Sequence, residues 1–307
     1  MVERILRTTR AEPSGVGIER SEMTDFTKVH GCGNDFVLIE DLDDEVELSG
    51  AFVRAICARH HGVGADGVIR LVPPQDQQSD VFMDYRNADG SVAEMCGNGV
   101  RCVAAYMLNR DLLEGDAVRV GSRVGVKIVD VTGRDHAGRV SETRVDMGAP
   151  RPTGNVVLRV PAWHAAIAPA TVEVTATTLS MGNPHAVLLV DDVAKAPVLE
   201  WGPRIEHDVA FPEGTNVEFI EISSPTVVRG RIWERGVGET MASGTGASAM
   251  AVAAHLAGHA GRQVRVELPG GSLHVDWGDD TLWVRGPAVE VYTGSISDAW
   301  LERVSHD

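Results

Sequence analysis

Hydrophobic positions recur along this chain in two patterns, and each pattern predicts a different kind of element. Short runs rich in β-branched residues and bounded by turn residues predict strands. Such runs occur within 26–40 and at 81–86, 118–132, 140–147, 171–180, 186–190, 226–233, 263–268, 272–276 and 281–292. Helical patterns occur at 49–60 and in two segments that begin after Cys96 and after Gly244. These two segments are dominated by small apolar residues on nearly every side, which is typical of buried helices.

The second half of the chain repeats motifs of the first half in the same order. Gly33-Asn34-Asp resembles Gly182-Asn183-Pro, and 149 positions separate the two asparagines. Cys96-Gly-Asn-Gly resembles Ser243-Gly-Thr-Gly at a separation of 147 positions, and both motifs precede a helical pattern. Such matches indicate an internal duplication. The predicted fold class is α+β, with two pseudo-symmetric halves, each a curved mixed or antiparallel sheet wrapped around a central helix, and an active site in the cleft between them.

Breaks in the pattern suggest the domain boundaries. Residues 1–22 are mostly polar and contain prolines and glycines, so we expect a disordered or extra N-terminal tail. A misassigned start and a transit peptide are alternatives, although the glutamates of this segment argue against a transit peptide. The stretch 147–152, rich in glycine and proline, separates a first half (23–146) from a second half (147–289). The last segment, from about 290 to 307, is expected to add a strand to the first half.

The composition limits the classes of function. The chain has 307 residues and is 43% hydrophobic and 23% charged, as globular proteins are. Its formal net charge of −16 disfavours nucleic acid and anionic membranes as partners. No apolar run reaches the length of a membrane span. The four cysteines show no disulfide pattern and no signal peptide is visible, which together indicate a reducing cytoplasm.

Cys96 is the strongest candidate for chemistry because it precedes a predicted helix and is followed by two glycines, Gly97 and Gly99. The N–H groups and the positive dipole end of a helix N-terminus favour negative charge, so a thiol there is a better base. The same N–H groups can hold a substrate carboxylate. A buried structural cysteine is the simpler alternative. Because the duplication puts Ser243 at the equivalent position, the two residues suggest proton transfer on opposite faces of one carbon, as inversion of a stereocentre requires.

Other patterns point away from a cofactor or metal. The run from Gly62 to Gly67 has the spacing of a dinucleotide fingerprint, but a helix precedes it and a strand follows, whereas the fingerprint needs the opposite order. The histidines and cysteines at 30–32 and 57–61 match no structural zinc spacing. The chain has only three lysines, and none lies in a motif suited to a Schiff base. We therefore expect no cofactor and no metal.

Six motifs in one order resemble the diaminopimelate epimerase family, whose members are independent of pyridoxal. They are His-Gly-x-Gly-Asn-Asp-Phe from His30, Gly-x-Gly-Ala-Asp-Gly from Gly62, Asn-Ala-Asp-Gly-Ser from Asn87, Cys-Gly-Asn-Gly-x-Arg-Cys from Cys96, Gly-Asn-Pro-His from Gly182 and Glu-Arg-Gly-x-Gly-Glu-Thr from Glu234. The match runs from about Phe26 to the C-terminus. The resemblance implies an isomerase that interconverts L,L- and meso-diaminopimelate, a step toward lysine and peptidoglycan precursors.

The resemblance also implies roles for individual residues. Cys96 is one catalytic thiol, Ser243 stands at the position of the second, and His185 and Glu234 resemble residues that tune the protonation of the thiols. The reacting carboxylate is then held by Gly97, Asn98, Gly244 and Thr245. The amino groups and the distal carboxylate are recognised by Asn34, Asn87, Asn183, Asn216, Glu234 and Arg235. The guanidinium of Arg235 suits a bidentate bond to a carboxylate.

The chain departs from the family at Ser243, where the family has cysteine. A serine hydroxyl has a pKa several units above that of a thiol, so it is a poor base at neutral pH. We therefore expect impaired inversion, with Cys96 exchanging the α-proton of one stereoisomer. The serine is an introduced substitution, a natural feature of a slow or specialised epimerase, or the mark of a paralogue with another reaction.

Two alternative functions remain open on sequence alone. One is another cofactor-independent racemase, isomerase or dehydratase of the same fold, acting for example on proline, hydroxyproline or histidine. The other is a non-catalytic paralogue that only binds the ligand. The expected partner is in each case a small molecule, and a homodimer is the assembly considered.

Overall fold

The structure is a computed structural model that describes residues 23–162 and 171–305. Its strands are β1 (Met23–Gly31), β2 (Asn34–Glu40), β3 (Gly67–Val72), β4 (Val81–Asn87), β5 (Ala117–Ser122), β6 (Gly125–Arg134), β7 (Val140–Gly148), β8 (Arg151–Pro161), β9 (Thr171–Ser180), β10 (Pro184–Leu189), β11 (Asn216–Ser224), β12 (Val227–Glu234), β13 (Gly238–Thr240), β14 (Gln263–Leu268), β15 (Gly271–Trp277), β16 (Leu282–Pro287) and β17 (Val289–Ser297). Its helices are α1 (Gly50–Cys57), α2 (Gly97–Asn109), α3 (Val198–Glu206), α4 (Gly244–Leu256) and α5 (Asp298–Ser305). The tail expected at 1–22 lies outside the described residues.

The chain divides into two compact units. The first unit takes the residues up to Gly31, then Asp35–Val145 and the residues from Pro287 onward. The second unit takes Cys32–Asn34 and Asp146–Gly286. Strand β17 and helix α5 therefore belong with the N-terminal part of the chain, while Asn34 groups with the second unit.

In the first unit, strands of both directions pack around helix α2. β17 pairs antiparallel with β1, β2 is parallel to β3, β3 is antiparallel to β4, β4 is parallel to β5, and β5 and β6 continue antiparallel to β7. α2 contacts β1, β5, β6 and β17 and is buried from Gly97 to Leu108. Its small side chains allow this burial, because Ala104 and Ala105 let strands approach on several sides.

In the second unit, the same pattern of strands packs around helix α4. β8 and β9 are antiparallel, as are β9 and β10, while β10 is parallel to β11. β11 is antiparallel to β12, β12 is parallel to β14, and β14 and β15 continue antiparallel to β16. α4 contacts β9, β10, β11, β12, β14 and β15. The pairing order matches that of the first unit strand for strand, which confirms the predicted mixed fold of two pseudo-symmetric halves.

A second helix covers the other side of each sheet with an apolar face. In the first unit α1 places Phe52, Val53 and Ile56 against buried residues of β2 and β3. In the second unit α3 places Trp201 and Ile205 against buried residues of β10 and β11. Each such side chain contributes roughly 1.5–3 kcal/mol when it is fully removed from water.

The structure contains elements that the hydrophobic pattern did not predict. The stretch at 147–152 is only a short break, since β8 begins at Arg151 and has a bulge between Pro152 and Gly154. Helix α3 was missed because it contains Gly202 and Pro203, both poor helix formers. The predicted strand at 281–292 is two strands, β16 and β17, with Ala288 between them.

Candidate active site

Cys96 is the N-cap residue immediately before helix α2, with φ −136° and ψ 117°. Its carbonyl accepts a hydrogen bond from the N–H of Val100 at 3.0 Å, while its side chain makes no capping bond. The thiol is partly buried, whereas the other three cysteines are buried. The sulfur therefore lies at the positive end of a buried helix, where the thiolate is favoured.

The first turn of α2 is fixed by the buried Arg101 side chain and by close packing on β3. Arg101 is fully buried and donates hydrogen bonds to Asn98 Oδ1 at 2.7 Å and to the carbonyl of Gly97 at 3.3 Å. A Cβ on Gly99 would lie 3.1 Å from Ile69 Cδ1, so glycine lets the helix pack closely on β3. Sequence reasoning did not assign a role to Arg101, although a lone arginine in an apolar helix was visible as a signal.

The two asparagines predicted from the first half lie at the ends of strands. Asn87 ends β4 and uses its side chain in a turn, donating from Nδ2 to Ser91 Oγ at 3.0 Å. Asn34 begins β2 and is 9% exposed. It follows a tight turn in which Cys32 and Gly33 both have positive φ.

Ser243 is the N-cap residue of helix α4 and has nearly the same backbone conformation as Cys96, with φ −137° and ψ 132°. Unlike Cys96, Ser243 caps its helix, because Oγ accepts from the N–H of Gly246 at 3.3 Å. The same Oγ lies 3.4 Å from Thr245 Oγ1. The structure thus gives the two equivalent positions one geometry and different chemistry.

Glu234 lies close enough to Ser243 for the hydroxyl to influence the ionisation of its carboxyl. It ends β12 and accepts a hydrogen bond from Thr240 Oγ1 at 2.5 Å. Burial raises the pKa of the Glu234 carboxyl, and the hydrogen bond from Thr240 and the nearby Ser243 hydroxyl offset part of that rise. A carboxyl of this kind keeps its proton to a higher pH than an exposed glutamate, so it is able to supply one to Ser243.

His185 and Asn183 form a chain with a residue that sequence reasoning missed. His185 Nδ1 is 2.6 Å from Glu218 Oε1, and His185 Nε2 is 2.9 Å from Asn183 Oδ1. Burial raises the pKa of Glu218, and the interaction with His185 opposes that rise. The available signal was Glu218 itself, an acidic residue inside the apolar run Val217-Glu218-Phe219-Ile220. Apolar residues at neighbouring positions indicate a strand buried on both faces, so Glu218 has no exposed position there.

Asn216 and Arg235 complete the group in the second unit. Asn216 Nδ2 donates to the carbonyl of Pro184 at 2.9 Å, and its Oδ1 accepts from the N–H of Arg235 at 3.0 Å. The exposed Arg235 guanidinium donates to the carbonyl of Glu213 at 3.1 Å. Within the described part of the chain no carboxylate pairs with it, so its charge is available to an anionic ligand.

The structure brings together the site residues predicted in the second half. Hydrogen bonds and electrostatic interactions connect Asn183, His185, Asn216, Glu234, Arg235 and Ser243, the last of which begins the helix that continues with Gly244 and Thr245. In the first unit Cys96, Gly97 and Asn98 share one helix turn, and Asn87 lies at the other end of the loop that precedes it.

Two kinds of feature are absent from the described residues, a metal-binding cluster and a membrane-spanning helix. They contain no cluster of three or more histidine, cysteine, aspartate or glutamate side chains able to hold a metal ion. None of the helices in residues 23–162 and 171–305 has the length and apolarity that a membrane crossing requires.

Comparison with known proteins identifies similar sequences over most of the chain. A family model described as diaminopimelate epimerase matches residues 26–152 and 177–297. Diaminopimelate epimerase of Pelotomaculum thermopropionicum is 43% identical over 283 residues, covering 88% of this chain and 97% of the relative. The enzyme of the same name from Moorella thermoacetica is 43% identical over 290 residues, covering 88% and 98%.

Solved structures of low sequence identity share the fold. A hydroxyproline epimerase from Agrobacterium vitis has a TM-score of 0.69 at 14% identity and covers 91% of this chain and 94% of its own. A probable proline racemase from Agrobacterium radiobacter has a TM-score of 0.68 at 16% identity, with coverages of 89% and 93%. At these identities the likeness concerns the architecture alone.

Proposed function

The chain belongs to the diaminopimelate epimerase family, and from this premise we propose how its residues interconvert L,L- and meso-diaminopimelate. The resemblance seen in the six motifs is confirmed by relatives that are 43% identical over most of the chain. The protein is therefore an isomerase of amino-acid biosynthesis. The catalytic and binding roles of its individual residues are our proposal.

We propose that Cys96 removes the α-proton and that Ser243 returns one. The observation that supports this assignment is the shared geometry of the two residues, each the N-cap of the buried helix of its repeat. The thiolate of Cys96 takes the proton and becomes a thiol, which leaves the bonding electron pair on the α-carbon. Ser243 donates its hydroxyl proton to that carbon and is itself reprotonated by the nearby Glu234 carboxyl. Cys96 later releases its proton to solvent, and Glu234 regains one from solvent.

The carbanion needs stabilisation, and the helix N-termini are suited to supply it. In the proposal, the α-carboxylate is bound by N–H groups of the first turns of α2 and α4, namely those of Gly97, Asn98, Gly244 and Thr245. Negative charge that develops on this carboxylate then meets preorganised donors and two positive dipole ends. No step of this proposal needs a cofactor or a metal.

We assign recognition of the distal end of diaminopimelate to polar and charged side chains of both units. Arg235 is exposed and pairs with no carboxylate in the described part of the chain, which supports a bond to the distal carboxylate. Asn34, Asn87, Asn183, Asn216 and Glu234 are proposed to contact the amino groups and that carboxylate. Bidentate binding by Arg235 favours a dicarboxylic substrate over proline or histidine.

The proposal predicts that replacing Ser243 changes which stereoisomer reacts. In D2O, we expect the chain to exchange the α-proton of one isomer and to invert slowly, because serine is a poor base. Ser243→Cys should exchange both isomers and invert about 100-fold faster or more, within the range that one general base contributes. NMR of the recovered amino acid measures both rates.

Two results would contradict this scheme. If the serine form exchanges both isomers as fast as Ser243→Cys, position 243 is not the limiting base. If neither form exchanges any α-proton of diaminopimelate while Cys96 is reduced, the assignment of Cys96 is wrong. Cys57→Ser is a suitable control, because burial raises the pKa of that thiol to about 12 and makes it inert.

We also propose a reducing compartment and a homodimer. Cys96 works only as a thiol, which supports the cytoplasm as its location.

Val289 and Val291 of β17 expose 36% and 53% of their surface on one face, which supports a self-association surface there. Sedimentation of the chain and of its Val291→Lys variant tests this: a dimer that the lysine leaves intact uses another surface.

A further inference from the structure

Glu218 is a buried acid that the scheme above does not use. It lies in β11 between Val217 and Phe219, and none of the three is exposed. One of its oxygens, Oε1, bonds the fully buried His185 ring. The other, Oε2, has no hydrogen-bond partner among the described residues. Burying a carboxyl with one unpaired oxygen is costly, so its presence calls for an explanation.

The geometry determines where the protons of this pair lie. Asn183 Oδ1 is a carbonyl oxygen that only accepts, so the His185 Nε2 at 2.9 Å must donate to it. With Nε2 protonated, either Nδ1 also carries a proton and donates to Glu218, or Glu218 is protonated and donates to Nδ1. In both cases one proton lies in the 2.6 Å contact between Glu218 and His185.

Few charged groups face this pair. On β12, Glu234 interacts electrostatically with both Glu218 and His185. On α4, the first turn comes so close that a Cβ on Gly246 would lie 3.4 Å from Glu218 Oε1. On β9, the residue opposite His185 is the apolar Leu179. Ionisation of one of the two carboxyls disfavours ionisation of the other, and this favours retention of the shared proton when Glu234 is ionised.

We propose that Glu218 is a positioning residue: it shares one proton with His185, fixes the ring with Nε2–H on Asn183, and thereby directs the Asn183 amide nitrogen to the substrate. The proposal rests on the proposed role of Asn183 as a substrate contact. Because Oδ1 of Asn183 is occupied by His185, its NH2 group presents two donors, which suit a carboxylate. Without the carboxyl at 218, the ring and the amide are both able to reverse.

The first test measures which His185 nitrogen carries the proton. Two-bond proton–nitrogen NMR of the chain with 15N-labelled histidine distinguishes the nitrogens, and loss of a signal in His185→Gln assigns them. At pH 6 we expect Nε2 to be protonated, with a second proton in the contact between Nδ1 and Glu218. As the pH rises and Glu218 becomes a carboxylate, the ring proton should move to Nδ1, because a buried carboxylate requires a donor.

Glu218→Gln should abolish this pH-driven change, because an amide has no proton to lose in that range. Glu221→Gln is the matched control: it lies on the same strand, accepts a hydrogen bond from the N–H of Val193, and should behave as the parent. The proposal is overturned if Glu218→Gln keeps the change seen in the parent. It is equally overturned if the parent shows no change while Nδ1, and not Nε2, is protonated throughout.

The second test is kinetic. We expect Glu218→Gln to raise the KM for diaminopimelate in α-proton exchange by about tenfold, equivalent to one lost hydrogen bond, and to change kcat less than about twofold. Glu218→Asp, whose shorter side chain withdraws from Nδ1, should also raise KM and provides the measurement if the glutamine variant does not fold. A normal KM in a folded variant would show that Glu218 is structural only.

The outcomes separate this inference from the proposed function. If no form of the chain exchanges the α-proton of diaminopimelate, the proposed function fails, yet NMR still decides whether Glu218 controls the His185 ring. If exchange occurs and the His185 ring does not respond to Glu218→Gln, the proposed function stands and the inference about Glu218 fails.

Discussion

At the scale of single residues, the side-chain oxygen of Ser243 has two roles, the capping of helix α4 and the proposed proton transfer. Ser243 Oγ accepts the capping bond from Gly246, whereas the Cys96 side chain caps nothing. A serine cap stabilises a helix by about 1 kcal/mol relative to a residue that cannot cap. The hydroxyl that stabilises the helix also has a pKa several units above that of a thiol, so almost none of it is ionised and able to act as a base at neutral pH. We therefore expect Ser243→Cys to gain activity and to lose about 1 kcal/mol of stability.

At the same scale, the raised pKa of the Glu234 carboxyl predicts how the stability of the protein depends on pH. This pKa is raised in the folded protein, so the folded state binds its proton more tightly than the unfolded state does. Stability then falls as the pH rises from the ordinary carboxyl pKa toward the raised one. Glu234→Gln removes this fall, so the variant should gain stability relative to the parent as the pH rises above the ordinary carboxyl pKa.

Urea unfolding at several pH values measures this effect. Glu239→Gln, a neighbouring glutamate paired with Arg231 at 2.7 Å, serves as the control and should show no such relative gain. If the difference between Glu234→Gln and the parent does not change with pH, the Glu234 carboxyl is not perturbed by burial.

At the scale of elements, helix α3 positions the loop that carries Glu234 and Arg235. Its last residue, Glu206, accepts from Trp233 Nε1 at 2.7 Å and from the N–H of Gly236 at 2.8 Å. The two bonds lie on either side of Glu234-Arg235. A helix that the hydrophobic pattern does not predict therefore fixes two residues of the candidate site.

Gly202 should be needed for this packing. A Cβ at Gly202 would lie 2.6 Å from Trp233 Cγ and 2.8 Å from Trp233 Cβ, atoms close to the backbone of a rigid side chain. Gly202→Ala gains up to about 1 kcal/mol in helix propensity but must displace Trp233, at roughly 1–3 kcal/mol or more. We expect net destabilisation and a higher KM, because Arg235 moves with the strand.

Gly261→Ala is the matched control for the measurement by urea unfolding. Its nearest neighbour would be the Pro225 carbonyl at 3.7 Å, which is ordinary contact. Equal stability of Gly202→Ala and Gly261→Ala would mean that α3 does not pack as described.

At the scale of the whole molecule, the two repeats share an architecture and differ in what they bury. By strand register the positions equivalent to His185 and Glu218 are Phe36 and Ile69, which are fully buried and apolar. The first unit therefore has a hydrophobic contact where the second has an acid–imidazole pair. The two repeats thus share their backbone geometry, and they differ in a few interior residues that give the second repeat its buried acid and imidazole groups.

The return of the chain end to the first unit gives a prediction at this scale. β17 pairs with β1 from Met23 to His30, so a chain ending at Gly286 leaves β1 without that partner. We expect amide hydrogen exchange to accelerate in β1 and α2 while β10–β12 keep their protection. A chain ending at Ser297, which retains β17, is the control. Uniform loss of protection in both units would contradict the division described.

The sequence by itself determined the duplication, the two buried helices and the family. Repeated motifs and alanine-rich segments identify these features because they depend on local composition and spacing. It also located the two N-cap positions, since Gly-rich turns before a helical run are local signals. β8 and α3 escaped prediction, because a bulge, an internal glycine and a proline mask the period of each element.

Only the tertiary structure decided which polar groups meet. Glu218 is 33 positions from His185 and Glu206 is 27 from Trp233, and no local pattern pairs them. Their partners are set by parallel strand pairing and by helix packing, which bring distant residues into contact at distances of 2.6 and 2.7 Å. Burial then shifts the protonation of Glu218 and Glu234, a property that depends on the surrounding fold and is absent from the order of residues.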